Sequence, residues 1–317
     1  MRRIVTDLEI VEQAAAELGL GATWVPAVRR TELSLAGGER ICGLEWHLGP
    51  PEFVFLHGGS QNAHTWDAVA LLLGRPCIAL DLPGHGRSTW RADGTYDPRV
   101  MCDAVADAVR ILTTRAVVLV GMSLGGLTAI ALAARYPSLV DRLAVIDVTP
   151  AAGDEHRLES LTPPRTSFES IDEMVEQVYR PDTGRSLESF RRGVLANSRQ
   201  RPDGTWAWQW DPAKSTSKHR VDWDGVWGDL ARTTAPMLFV RAGSSRVVRD
   251  EDLAEVRRLR PDADIVVVEG AGHSVQGSRP RELARELEWF ARAGHRTAAR
   301  PAPITSPAYG EAFPSGA

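Results

Sequence analysis

The sequence predicts an α/β protein built on a mostly parallel, doubly wound sheet with an inserted helical cap. Three features carry this expectation: short apolar runs bounded by turns, helical stretches alternating with them, and one long region that breaks the alternation. Continuous apolar runs suit strands buried on both faces, the condition of a parallel sheet whose crossovers are helices. The 317 residues, 43% hydrophobic and 25% charged, are enough for a full-sized core.

In chain order, Asp7 to Leu20 repeats its apolar residues at near-helical spacing and stops at glycines, giving a short amphipathic helix ahead of the main domain. Val28 to Leu35 and Arg40 to Leu48 alternate polar and apolar residues around Gly37-Gly38 and read as an antiparallel hairpin at a sheet edge. Buried strands are expected at Phe53 to Leu56, Cys77 to Leu80, Val117 to Val120, Leu143 to Ile146, Met237 to Val240 and Ile265 to Val268. Helices are expected at Pro98 to Leu112, Leu124 to Tyr136, Asp250 to Leu259 and Arg281 to Ala291. The region from about Pro150 to Leu230 is rich in charge, proline and tryptophan, with a helical pattern over Phe168 to Tyr179 and no clear buried strand. The expected organisation is an N-terminal helix over 1–24, a core over 25–150 and 231–294, a cap over 151–230, and a disordered tail over 295–317.

A net charge of −4 with no run of Lys and Arg offers no face for nucleic acid, so a small-molecule substrate is the expected partner. Cys42, Cys77 and Cys102 lack metal-ligand spacing and read as reduced core thiols. No apolar run reaches signal-peptide or membrane length, so a soluble, cytoplasmic protein is expected, with its oligomeric state left open.

The strongest chemical signal is Gly121-Met122-Ser123-Leu124-Gly125, directly after an apolar strand and before an Ala/Leu-rich helix. A sharp strand-to-helix turn lifts a serine oxygen clear of the sheet, and the helix N-terminus favours developing negative charge, so Ser123 is the expected nucleophile. His57-Gly58-Gly59 follows another buried strand, and glycines there let backbone N–H groups turn toward an oxyanion. The expected donors are the amides of Gly59 and Leu124, with His57 as a loop anchor. Gly270-Ala271-Gly272-His273 follows the last strand; serine first and histidine last is the order of the nucleophile-elbow arrangement, which makes His273 the expected general base. His64, His156 and His219 are expected on the surface or in the cap.

Taken together, the HGG motif, Asp81-Leu82-Pro83-Gly84-His85-Gly86-Arg87-Ser88, GMSLGG and GAGH resemble the α/β-hydrolase superfamily over about Val28 to Ala293. The Asp81 to Ser88 segment reads as a structural turn shaping the pocket wall. The resemblance implies a capped serine esterase or lactonase that needs no metal or organic cofactor. One departure stands out. The acid that orients the histidine usually follows the strand equivalent to Met237 to Val240, where this chain has Ser245 and Arg246. Relatives that carry the acid one strand earlier point to Asp147. Asp250 or Asp252 from the next helix, or no acid at all, are the alternatives, and a buried Asp that merely closes a strand end is the structural reading of Asp147.

Serine rather than aspartate at the elbow argues against an alkyl-enzyme ester mechanism and leaves acyl transfer. The expected reaction is hydrolysis of a carboxylic ester or lactone of a small, apolar or aromatic substrate through an acyl-enzyme on Ser123. Hydrolysis of a carbon–carbon bond in a diketone-like substrate, transfer to an acceptor other than water, and non-catalytic binding on the same scaffold are the alternatives.

Overall fold

The computed structural model describes residues 5–21, 24–153, 165–180, 184–212 and 221–292. His156, His219 and the tail 295–317 lie outside the described residues. The first helix, α1 (Asp7–Glu17), starts at Thr6, whose hydroxyl accepts the Glu9 N–H while the Glu9 carboxylate accepts the Thr6 N–H, a reciprocal cap. Strands β1 (Val28–Ser34) and β2 (Arg40–Trp46) pair antiparallel as the hairpin expected, with Val28 opposite Trp46.

Next come β3 (Phe53–Leu56), α2 (Asp67–Leu73), β4 (Cys77–Leu80), α3 (Pro98–Leu112), β5 (Val117–Met122), α4 (Leu124–Arg135) and β6 (Val140–Ile146). The region between β6 and the next sheet strand holds α5 (Ile171–Val178), α6 (Leu187–Ala196), the short pair β7 (Ser198–Gln200) and β8 (Trp206–Trp208), and α7 (Trp223–Arg232). The chain closes with β9 (Met237–Ala242), α8 (Asp250–Leu259), β10 (Asp264–Val268), the single turn α9 (Val275–Ser278) and α10 (Pro280–Arg292). The main sheet runs β1-β2-β4-β3-β5-β6-β9-β10; from β4 onward all neighbours are parallel, and β2 meets β4 antiparallel.

Strand side chains alternate between the two faces, and the core divides accordingly. Val54, Leu56, Ile78, Leu119, Leu143 and Phe239 face α3, α4 and α8, while Phe53, Phe55, Ala79, Val120, Ile146 and Val240 face α1, α2 and α10. Val11, Ala14 and Ala15 of α1 belong to the second face, so the N-terminal helix is part of the sheet's packing. Likewise Val226 and Leu230 of α7 pack with the first face, against α4. The rest of the insertion has a small cluster of its own, Phe168, Met174, Val175, Val194, Trp208 and Trp210.

The chain leaves β3 for β4 on one side and then returns to β5 on the other. The carboxyl ends of β3 and β5 therefore diverge at a switch in strand order, where open α/β sheets leave a crevice. Cys42, Cys77 and Cys102 are buried and free of disulfides. Among the described residues no helix is long and apolar enough to cross a membrane.

Candidate active site

Ser123 sits between β5 and α4 with φ 52° and ψ −121°, a backbone conformation that costs a non-glycine residue about 1–3 kcal/mol. The turn can be this tight because its flanking glycines have no Cβ. A methyl at Gly121 would lie 2.2 Å from the Gly125 carbonyl oxygen, and one at Gly125 would lie 2.3 Å from that of Leu56. The Ser123 N–H is held by the Ile146 carbonyl at 3.1 Å, and its side chain makes no capping bond to α4. The hydroxyl is thus left for other work at a helix N-terminus whose first amides, beginning with Leu124, have no partner within the helix.

The loop after β3 is pinned by His57. The Leu82 N–H donates to Nε2 at 2.9 Å, which leaves Nδ1 to carry the proton and donate to the Gly58 carbonyl at 2.8 Å. In a trans peptide this turns the Gly59 N–H to the opposite side. Gln61 ties the same loop to the histidine loop: its Oε1 accepts the Gly58 N–H and its Nε2 donates to Ser274 Oγ, both at 3.2 Å.

His273 follows β10 across the Gly270 to Gly272 turn, and its Nδ1 lies 2.7 Å from Asp147 Oδ2. Asp147 ends β6 with φ 49° and is fully buried. Its N–H donates to Val240 O at 2.7 Å and its Oδ1 accepts the Ala242 N–H at 2.9 Å, so the carboxylate closes the β6–β9 ladder while meeting the histidine. One geometry thus accommodates both the strand-closing and the histidine-orienting reading of Asp147. Ser245, in the place where an acid was sought, donates its hydroxyl to Asp147 Oδ2 at 2.9 Å. Asp250 pairs with Arg241 at the surface, and Asp252 accepts the Arg249 N–H at 2.8 Å to cap α8. These two acids are occupied as helix-start residues, and the side of His273 facing the protein is taken by Asp147.

Gly58, Gly59, Ser123, Leu124 and His273 all line one cavity of about 470 Å³, within the ~300–1,000 Å³ typical of small-molecule sites. Trp208, Trp210 and Trp223 line it too, with Phe190, Leu127 and Val148; Trp227 packs instead against the sheet's core, and Trp206 against the insertion's. The Asp81 to Ser88 turn acts on the cavity at one remove. Asp81 accepts the Ala63 and Arg87 N–H groups at 2.8 and 3.0 Å, and Gly84 O accepts the Asp211 N–H at 2.8 Å, next to Trp210.

His64 corrects an expectation. It is only 4% exposed, set between Asp67 (Nδ1, 3.1 Å) and Asp7 (Nε2, 3.1 Å), and it borders the cavity. Burial opposes its charge, but the Asp67 and Asp7 carboxylates outweigh that and raise its pKa above the usual 6.5. The same network joins the insertion to the core, since Arg192 of α6 donates to Glu17 of α1 at 2.9 Å and meets Asp67 at 3.4 Å. No local pattern marks His64, because its partners come from a helix more than fifty residues away in sequence as well as from its own turn.

A family model described as the alpha/beta hydrolase family matches residues 53–286. The chain belongs to the alpha/beta hydrolase family. Among its relatives, the chain is 40% identical over 286 residues to an esterase, Rv0045c, of Mycobacterium tuberculosis, covering 87% of this chain and 93% of that one. A crystal structure of that esterase superposes with a TM-score of 0.79 at 38% identity, covering 90% of this chain and 98% of the other. A 2-(acetamidomethylene)succinate hydrolase of Mesorhizobium japonicum is 31% identical over 249 residues, 76% of this chain and 87% of that enzyme. These matches cover most of the chain, so the alpha/beta hydrolase fold is shared with them.

Proposed function

We propose that this alpha/beta hydrolase is a serine carboxylic ester hydrolase acting on a small ester or lactone. The observation that carries the reading is the 2.7 Å contact of His273 Nδ1 with the buried Asp147 carboxylate, in a cavity that also presents Ser123. Asp147 holds the imidazole with its proton on Nδ1, so Nε2 is free to take the Ser123 proton. The Ser123 oxygen attacks the substrate carbonyl, and the Gly59 and Leu124 amides stabilise the oxyanion that forms. His273 returns the proton to the leaving alcohol. Water then attacks the acyl-enzyme by the same route, releasing the carboxylic acid and restoring Ser123.

The relatives support ester chemistry, the nearer in identity being an esterase. The cap expected over 151–230 serves, in its described residues ahead of α7, as a lid over the carboxyl edge of the sheet, and its aromatic wall of Trp208, Trp210 and Phe190 favours an apolar or aromatic acyl or alcohol group. The buried, free thiols agree with a cytoplasmic setting.

Short and medium p-nitrophenyl esters, together with fluorophosphonate labelling, test the reading. Wild type is expected to turn over and to label, and Ser123→Ala to do neither while keeping its fold. A wild type that neither turns over nor labels would leave a binding protein on a hydrolase scaffold.

A further inference from the structure

We propose that Ser245 is a positioning residue that holds Asp147 as a fixed hydrogen-bond acceptor for His273. The inference rests on the triad reading above and goes beyond it, because Ser245 touches neither Ser123 nor the imidazole in the contacts that place it. β9 ends at Ala242, and the chain folds back at once, with the Ser245 N–H donating to Ala242 O at 3.0 Å. The Ser245 hydroxyl then accepts two backbone donors, the N–H groups of Val247 at 3.1 Å and Val248 at 3.0 Å. A hydroxyl has two lone pairs and one proton. Both lone pairs are taken, so the proton has one direction left, toward Asp147 Oδ2 at 2.9 Å.

This fixes the polarity of the contact. Ser245 can donate to Asp147 and cannot accept from it, so Asp147 Oδ2 is the acceptor in this contact. Oδ2 consequently receives Ser245 and His273, while Oδ1 receives the Ala242 N–H at 2.9 Å. The carboxylate is held at both oxygens in one orientation, and the histidine's Nδ1 proton finds its acceptor already in place. The turn that in other arrangements would bear the acid bears its support here.

Four variants test this in steady-state kinetics on a p-nitrophenyl ester. Ser245→Ala is expected to lower kcat about tenfold with KM within twofold, the loss of one charge-assisted bond acting on the acid alone. Ser245→Thr, which keeps the hydroxyl, is expected to restore kcat. Should Ser245→Ala fail to fold, Ser245→Cys, which puts a weaker donor of similar size in the same place, is expected to lower kcat with KM within twofold. An unchanged kcat in folded Ser245→Ala or Ser245→Cys, or a Ser245→Thr enzyme no faster than Ser245→Ala, overturns the inference. An Asp147→Asn enzyme as fast as wild type would instead overturn the triad reading itself.

Discussion

Replacing Asp147 by asparagine changes one atom, and the surrounding donors determine how it acts. Oδ1 receives the Ala242 N–H at 2.9 Å, so the amide oxygen of the variant must take that side to avoid setting two donors against each other. The amide nitrogen then occupies the place of Oδ2, facing His273 Nδ1 at 2.7 Å and the Ser245 hydroxyl at 2.9 Å. Ser245 has no lone pair to offer, since Val247 and Val248 hold both. The relief left to the site is for His273 to present a bare Nδ1 to the amide and carry its proton on Nε2. In that tautomer the imidazole cannot take a proton from Ser123. The corresponding change in the serine-protease triad costs about 10⁴ in kcat, or ~5 kcal/mol at 1.36 kcal/mol per decade. Because Asp147 is wholly buried and does not border the cavity, KM should stay within about threefold. Stopped-flow and steady-state assays on p-nitrophenyl acetate and butyrate, with circular dichroism to confirm folding, measure both constants. A folded Asp147→Asn enzyme retaining more than a tenth of wild-type kcat would refute the tautomer argument.

Other perturbations follow from the same geometry. Gly121→Ala drives a methyl to 2.2 Å from a backbone oxygen of the nucleophile turn, so fluorophosphonate labelling of Ser123 is expected to be lost, and labelling at the wild-type rate would show that the turn has slack. Trp208→Ala removes a cavity wall that packs edge-on to Phe168 at 5.7 Å. It should cost about 3 kcal/mol of stability and shift kcat/KM toward longer acyl chains; an unchanged chain-length profile counts against the aromatic wall as a selector. The network of Asp7 and His64 predicts a pH signature in the melting temperature. The raised pKa of His64 means that its contribution is complete below 6.5 and fades as pH rises through its folded value. Burial opposes the charge on Asp7, but His64 and Arg30 outweigh it and lower its pKa from 3.8, so its contribution is complete above that value and fades as pH falls. Stability from this pair is therefore greatest between about pH 4 and 6.5, and His64→Gln should flatten the alkaline decline; the same slope in wild type and variant would sink the assignment.

Strand and helix positions were legible where local pattern and packing agree. α3 and α8 occupy Pro98–Leu112 and Asp250–Leu259, as their Pro and Asp starts and apolar spacing indicate, and β3 and β4 match their apolar runs residue for residue. Ser123, Gly59, Leu124 and His273, which line one cavity, are candidates that the sequence singles out because each follows a recognisable strand across glycine. What depends on distant partners was less legible. α7 carries Trp223 and Trp227 in a charged, tryptophan-rich stretch, yet its Val226 and Leu230 pack on α4, a contact that no local periodicity announces. His64 looked like a surface residue because its counter-charges lie on α1 and at the foot of α2. The support given by Ser245 was hidden for a related reason: a serine after β9 becomes meaningful only once Asp147 is known to end the neighbouring strand.

The division of the core has a consequence for how the protein fails on heating. Faces of the sheet are locked by dozens of buried side chains, whereas the insertion has the small cluster of Phe168, Met174, Val175, Val194, Trp208 and Trp210 and is moored to the core mainly by polar contacts, among them Arg192 with Glu17 and Asp67, Asn197 with Ser60 O and the Asp211 N–H with Gly84 O. Opening a cluster that small costs a fraction of the global free energy, so the wall of the cavity is expected to open at temperatures where the scaffold that carries Ser123 is still intact. Loss of activity on heating is then expected as a local event ahead of the melting of the sheet, and activity that survives up to the global unfolding temperature would refute it.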